Sequence, residues 1–235
     1  MDSLLLILIL TLNIAISIWN CYAVGVAWKD VKAMGSGFDK ILLWSGIIQS
    51  GVGFSMPILL GLAYGSVAFL TSGESPTLTP DQGQRVLEAI FSLWYIAVIF
   101  PILGSGLAIW AHSVRTAYER RDFTSIVAAG WNTFAQIHNT IDAFQNIGGA
   151  LGNIGELFSG ALESDSDDAK GKIITAVFLI VLIALASGFV IALGLVRYFS
   201  RTSESRIEAH AKDLQSGRKV EGELIPKGAK VARRF

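Results

Sequence analysis

The sequence has very little of what a metal centre or a covalent enzyme uses. Of its 235 residues, one is cysteine and three are histidine, so an intrachain disulfide and an all-cysteine metal site are excluded. The patterns HExxH, GxSxG, GxxxxGK[ST] and GxGxxG are absent as well. We therefore expect no enzymatic activity, no cofactor and no bound metal.

Charge is also scarce. Only 16% of residues are charged and 52% are hydrophobic, whereas soluble domains carry about a quarter charged residues. Four stretches have no charged residue, at 3–28, 41–73, 89–114 and 173–196. Each exceeds the roughly 20 residues that cross a bilayer as a helix. The composition therefore predicts an all-α polytopic membrane protein with four hydrophobic transmembrane helices.

The first stretch differs from a signal peptide. Asp2 stands where a signal peptide has basic residues, and the apolar run is far longer than an h-region of about 7–15 residues. We expect it to be a membrane span.

A segment of another kind lies between the third and fourth apolar stretches. We divide the chain into a three-helix transmembrane region (1–122), an amphipathic Asn- and Gly-rich segment (123–162), an acidic linker (163–172), a last transmembrane helix (173–199) and a basic polar C-terminal tail (200–235).

The positions of lysine and arginine predict how the chain is threaded, since loops rich in them stay on the cytoplasmic side. The regions 29–40 and 115–122 are basic, whereas 74–88 is mostly acidic. Ten of the 19 Lys and Arg residues lie from Arg197 onward. We therefore expect the N-terminus outside and the tail in the cytoplasm. This requires a fifth crossing, which only the segment 123–162 can supply.

That segment carries asparagine every seven residues, at Asn132, Asn139, Asn146 and Asn153. A strict seven-residue repeat predicts winding against a partner helix. We expect an apolar row to form the packed side, and the asparagines to meet protein or water because an amide in lipid is costly. The apolar row consists of Phe134, Ile137, Ile141, Phe144, Leu151, Ile154 and Phe158.

Three placements of this segment are open: a crossing or re-entrant insertion, a helix flat on the membrane surface, and a coiled coil projecting into the cytoplasm. A surface helix normally carries Lys and Arg, and this segment has neither from 123 to 160. As one straight helix, residues 124–160 would extend about 55 Å, too long for a simple crossing. Paired glycines weaken a helix, so a break at Gly148-Gly149 is predicted.

The candidate pore-lining residues form a polar stripe. His138 and Asp142 lie four residues apart on one helix face, and an ionisable residue at membrane depth suggests a proton or cation site. The alternatives are a carboxylate on a helix outside the bilayer, and asparagines that bond to other helices of the same chain. The stripe consists of Asn132, His138, Asn139, Asp142, Asn146 and Asn153.

Small residues and prolines predict helix packing and bending. Glycines at membrane interfaces let another helix approach closely, and the candidates are Gly61, Gly65, Gly148, Gly152 and Gly155. Pro57 and Pro101 fall inside apolar stretches and predict helix kinks. Thr79 followed by Pro80 predicts the start of a helix.

These features favour an oligomeric membrane channel or conduit subunit, in which helix 130–158 packs between copies and lines an aqueous path. The alternative is a structural or scaffold subunit of a larger membrane complex, such as a secretion or translocation machine. A third possibility is a small-solute transporter. With five crossings and an inside tail, the layout is similar, in topology alone, to the polytopic inner-membrane component of type IV secretion systems.

The expected partners are the lipid bilayer and either further copies of the chain or other membrane subunits. The basic tail is expected to dock on a partner or on anionic lipid, and nothing in the sequence indicates specific nucleic-acid binding. The expected location is a plasma membrane or a bacterial inner membrane.

Overall fold

The computed structural model describes residues 3–72, 77–159 and 167–203. Within these ranges the chain forms five α-helices and no strand: α1 (Ser3–Met34), α2 (Gly37–Thr71), α3 (Pro80–Arg120), α4 (Phe123–Ser159) and α5 (Asp167–Thr202). The basic tail beyond residue 203 and the first part of the acidic linker lie outside the described residues, so what the sequence predicts of them stays a prediction.

Capping boxes fix where α2 and α3 begin. The Asp39 carboxylate accepts the backbone N–H of Ser36 at 2.7 Å, and the Ser36 hydroxyl accepts the N–H of Asp39 at 3.3 Å. Thr79 and Gln82 form the same reciprocal pair, with Pro80 as the first helical residue. Such pairs satisfy backbone donors that a helix start leaves free. The helix start predicted at Thr79 is confirmed.

Three helices continue through residues that the sequence marked as points of bending or breaking. Pro57 and Pro101 lie inside α2 and α3 without ending either helix. α4 runs unbroken from Phe123 to Ser159, so the break predicted at Gly148-Gly149 is wrong. The contact of α4 with α3 through residues 133–153 offsets the propensity cost of these glycines, about 1 kcal/mol each. α5 begins at Asp167, so more than half of the predicted linker 163–172 is helical.

Two buried clusters occupy opposite ends of the molecule. The first joins the end of α1, the start of α2 and the end of α5, through Cys21, Val24, Ala27, Val31, Leu43, Ile47, Phe54, Ala192 and Val196. The second joins the end of α2, the start of α3, the end of α4 and the start of α5, through Leu59, Ala63, Val67, Leu78, Val86, Leu87, Ala89, Ile90, Leu157, Val177, Val181 and Ala184.

Successive helices therefore run in opposite directions. α1 and α5 run in parallel, since Cys21 lies beside Ala192 and the Tyr22 ring lies 5.4 Å from that of Phe199. The end of α3 returns to the start of α2, where the rings of His112 and Phe38 are 6.5 Å apart. α4 starts at this end and reaches the second cluster through Leu157. It thus extends from one end of the molecule to the other.

The alternation collects the positive charges at one end, which we call the basic end. It is formed by the last turns of α1, α3 and α5 and the first turn of α2, and its described cations are Lys29, Lys32, Lys40, Arg115, Arg120, Arg121, Arg197 and Arg201. The described charged side chains of the opposite end are Asp81, Arg85, Glu88, Glu156 and Lys172.

Small residues let α2 pack between its neighbours. The Ser50 hydroxyl donates to the carbonyl of Ser17 in α1 at 3.1 Å. On the other side, a Cβ at Gly188 of α5 would lie 2.7 Å from the backbone nitrogen of Ser55. Close approach of this kind is typical of helices packed inside membranes. Gly61 and Gly65, in the second half of α2, contact no other part of the described chain.

The outer surface is apolar over most of its area. Leu4, Leu8, Phe69, Phe100 and Val190 are each at least 60% exposed, and α1, α2, α3 and α5 are long and apolar enough to span a bilayer. Apolar surface of this extent marks contact with lipid or protein rather than water. The prediction of an all-α membrane protein with four hydrophobic spans and one long amphipathic helix is confirmed.

Candidate functional site

The candidate site is built on α4, and a two-residue turn at Arg121 and Asp122 places that helix. Arg121 adopts a left-handed conformation, with φ of 55°, and closes α3 by donating its N–H to the Ala117 carbonyl at 2.9 Å. Asp122 then caps α4, because its carboxylate accepts the Ser125 N–H at 2.7 Å and the Ser125 hydroxyl at 3.0 Å. These hydrogen bonds lower the pKa of Asp122 below its ordinary value because they favour the charged form.

Polar contacts join α3 and α4 along the resulting hairpin, and we call them the polar interface. They are four hydrogen bonds from donor to acceptor: Trp110 Nε1 to Thr133 Oγ1 (2.9 Å), Gln136 Nε2 to the Leu103 carbonyl (3.4 Å), Tyr95 OH to Asp142 Oδ2 (3.2 Å) and Asn153 Nδ2 to Ser92 Oγ (3.0 Å).

The polar interface fixes the depth of α4 relative to α3. Its partners place residues 133–153 of α4 beside residues 92–110 of α3. The latter lie wholly inside the uncharged stretch 89–114. Residues 133–153 extend about 30 Å as a helix, which is the thickness of the hydrocarbon core of a bilayer.

A glycine permits the close approach of the two helices at one level. At Gly106 of α3, a Cβ would meet the side-chain oxygen of Gln136. The Gln49 amide of α2 donates to Ser105 Oγ at 2.9 Å, and its nitrogen lies 4.0 Å from the same Cβ position at Gly106. Two amide side chains from different helices therefore meet α3 within about one turn.

The asparagine row lies on the packed side of α4. Each of Asn139, Asn146 and Asn153 stands four residues before a buried residue, which are Ala143, Ala150 and Leu157. Residues four apart share a helix face, so the row borders α3. Asn132, Asn139 and Asn153 are half-buried and Asn146 is exposed.

Within one chain the apolar row does not form the packed side, and the arrangement matches the alternative in which asparagines bond to another helix of the same chain, as Asn153 does. The physical reason is that α3 supplies polar partners at matching depths, so the polar side of α4 gains hydrogen bonds there. The apolar row faces outward instead: Phe134, Ile137, Ile141, Phe144 and Leu151 are between 50% and 83% exposed. Ile154 is half-buried, and the side chain of Phe158 lies outside the described part.

The outward side of α4 divides into two flanks of different chemistry. The apolar flank consists of the five exposed members of the apolar row. The polar flank follows the spacing i, i+4, i+7, i+11, i+14 and i+18, which stays on one helix face over five turns. Its members are His138, Asp142, Gln145, Gly149, Gly152 and Glu156. Asp142 is half-buried at its edge toward α3, and the other five are exposed.

Asp142 has partners other than the one predicted. Asn146 Nδ2 donates to its Oδ1 at 2.7 Å, and the Tyr95 hydroxyl lies 3.2 Å from its Oδ2 and from its backbone carbonyl. The His138 ring instead stacks on Phe134, with 6.1 Å between centroids and 7° between planes. The structure thus joins Asp142 to α3 and turns His138 outward.

The predicted packing glycines are uncovered. A Cβ at Gly61, Gly65, Gly148, Gly152 or Gly155 would meet no atom within 4 Å of the described chain. They leave bare helix surface on the outside of α2 and α4.

Sequence reasoning missed the α3 side of the site, which is Ser92, Tyr95 and Trp110, and also missed Thr133 and Gln136 of α4. These residues follow no repeat, and only their position within or beside long apolar stretches could have marked them.

Among residues 3–72, 77–159 and 167–203, no three His, Cys, Asp or Glu side chains are grouped to hold a metal ion.

Comparisons with protein-family models, with curated proteins and with solved structures find no match to this chain. The basis for inferring its function is therefore the geometry of α3 and α4.

Proposed function

We propose that the chain is a subunit of an oligomeric membrane conduit, in which α4 crosses the bilayer and its polar flank borders an aqueous path. The observation that carries the proposal is the exposure of His138 and Gln145 on α4 at the depth of the uncharged stretch of α3. Polar side chains at this depth are costly in lipid, so they require a neighbouring chain or water.

The crossing of α4 is supported by its course along α3. α3 has the length and hydropathy of a membrane span, and a helix antiparallel to a span passes through the same layers of the bilayer. The polar interface binds Asp142 and Asn153, and the apolar flank suits lipid or a neighbouring subunit. With this crossing the basic end, including the end of α5, faces the cytoplasm.

The conduit is supported by the division of the outward side into two flanks. In a closed ring of identical chains, heterologous contacts repeat around an axis. The apolar flank and the uncovered glycines Gly148 and Gly155 suit contact between copies, since glycine lets helices approach closely. The polar flank then faces the axis. This places His138, Asp142, Gln145 and Glu156 beside the path, and the asparagine row mostly behind them.

Side-specific labelling tests the crossing. In a Cys21→Ala background, Asp165→Cys should react from the same side as Thr77→Cys, and Lys230→Cys from the same side as Gly37→Cys. A membrane-impermeant maleimide applied to intact and permeabilised vesicles separates the two sides. If the thiol introduced at position 165 reacts from the same side as the thiol introduced at position 37, α4 does not cross.

Release of a dye or ions from vesicles tests the conduit. The purified chain, whose single-copy mass is 25.3 kDa, should form a defined multimer by native mass spectrometry and release the contents of vesicles. Gln145→Leu should reduce release several-fold because it removes a polar group from the flank. Phe144→Leu is the matched control on the apolar flank and should leave release unchanged.

The second candidate is a scaffold subunit of a larger membrane complex. It is favoured by the polar interface, because α3 already supplies hydrogen-bond partners to Asp142 and Asn153. The two candidates differ in vesicles. A scaffold leaves them sealed although it assembles with unlike subunits in fixed stoichiometry, whereas a conduit makes them leak without other proteins.

A further inference from the structure

We infer that the path is selective for cations and that Asp142 is the residue that determines this selectivity. The inference rests on the proposed conduit function and names the class of ion that it conducts. It follows from the formal charges along the polar flank, from how the Asp142 carboxylate is held, and from its depth.

The formal charges that α4 itself carries are all negative. From 123 to 159, α4 contains no Lys or Arg, and its acidic residues are Asp142 and Glu156. The helix that packs along it, α3, has no charged residue from 89 to 114. The titratable groups facing Asp142 are the Tyr95 phenol from α3 and, one turn earlier on α4, the His138 ring on the flank.

The Asp142 carboxylate is fixed without being neutralised. Its two hydrogen-bond donors, the Asn146 amide at 2.7 Å and the Tyr95 hydroxyl at 3.2 Å, are both uncharged. An ionised carboxylate has about four acceptor sites, so capacity remains for a hydrated cation on the exposed side. Tyr95 is a positioning residue, because it ties the carboxylate to α3.

Asp142 lies near the middle of the membrane layer. It is nine residues from Thr133 and eleven from Asn153, or about 14 and 17 Å along a helix. A charge acts most strongly where the surroundings have a low dielectric constant. In a ring of copies, each chain adds one such carboxylate at the same level, which is a recurrent arrangement in cation channels.

Reversal potentials in a salt gradient test the inference. With the purified chain in a planar bilayer between unequal KCl solutions, we expect a potential near that of K⁺. Asp142→Asn, which keeps the side-chain size, should lower the cation-to-anion permeability ratio about tenfold, toward unity. Asp142→Glu, which keeps the carboxylate, should keep the selectivity of the wild type. Tyr95→Phe should lower the cation-to-anion permeability ratio while currents persist. Asp81→Asn is the control, since it removes an exposed carboxylate at the start of α3, away from the middle of the membrane layer, and should leave the ratio unchanged.

The outcomes separate the two proposals. Currents that are unselective, or a ratio unchanged in Asp142→Asn, overturn the inference and leave the conduit standing. Absence of currents from a folded, monodisperse chain overturns both. Selectivity that is lost in Glu156→Gln instead of Asp142→Asn also overturns the role of Asp142.

Discussion

At the scale of single residues, the contact between α2 and α5 depends on glycine. The backbone carbonyl of Gly51 and the backbone nitrogen of Ser55 lie where a side chain at Gly188 would project. Backbone atoms cannot rotate away as a flexible side chain can, so this position tolerates no larger residue without moving a helix.

Gly188→Val should therefore destabilise the protein by about 1–3 kcal/mol, the usual cost of overpacking. The measurement is thermal unfolding in detergent, followed by tryptophan fluorescence. Gly194→Val is the matched control on the same helix, because a Cβ there meets nothing within 4 Å. Equal losses in the two variants would show that the contact with α2 is not the cause.

The cap at Asp122 predicts a dependence on pH. The hydrogen bonds from Ser125 lower the pKa of Asp122 in the folded state. Its contribution to stability is therefore fully present above the pKa of the unfolded state, about 4, and is lost as pH falls through the pKa of the folded state. Asp122→Asn should melt at a lower temperature than the wild type from pH 5 to 7, and the difference should shrink below about pH 4. A difference that stays constant with pH would mean that the carboxylate charge is not involved.

At the scale of helices, the polar interface holds α4 to α3. Thr133 and Thr140 each donate to a carbonyl of α4 four residues earlier, both at 2.7 Å. Of these two hydroxyls, that of Thr133 also accepts a hydrogen bond from the Trp110 indole, whereas that of Thr140 does not. The pair therefore separates a bond between helices from a bond within one helix.

Thr133→Val should cost about 1 kcal/mol more than Thr140→Val, since hydrogen bonds between membrane helices contribute about 0.6–2 kcal/mol. Unfolding in mixed micelles of detergent and denaturant gives the two values. If the two losses are equal, the Trp110 bond does not stabilise the hairpin.

Local features of the sequence are enough to predict the helices themselves. The uncharged stretches and the Thr79-Pro80 start depend on composition and on neighbouring residues, and these predictions are confirmed. The side of α4 that packs could not be predicted in the same way. The asparagines and the apolar row share one seven-residue period. Which of the two sides packs on α3 is decided by Ser92, Tyr95 and Trp110, whose partners on α4 lie between 23 and 61 residues later in the chain.

At the scale of the whole molecule, the alternation of five helices gathers eight described cations at the basic end. The threading prediction assigned all eight to one side from the charge rule alone, without knowing that the end of α5 lies beside the start of α2. The contacts among Cys21, Ile47 and Ala192 bring these segments together.

The basic end should bind anionic lipid headgroups. Phosphatidylglycerol, compared with phosphatidylcholine, should raise the melting temperature in mixed micelles, and about 1 M salt should remove the effect by screening. Lys32→Gln with Lys40→Gln should reduce the stabilisation, whereas Arg85→Gln at the opposite end should not. Equal stabilisation by both lipids would contradict the prediction.

In the proposed crossing, α3 and α4 enter the bilayer as one unit during synthesis, because only Arg121 and Asp122 separate them. A lone α4 leaving the ribosome and the insertion machinery would show lipid its asparagines and an aspartate that costs about 2.5–3.5 kcal/mol at the membrane centre. α3 is made first and already carries the hydroxyl groups of Ser92 and Tyr95, which bond to Asn153 and Asp142. In the proposed crossing, insertion of α4 thus depends on the helix translated just before it.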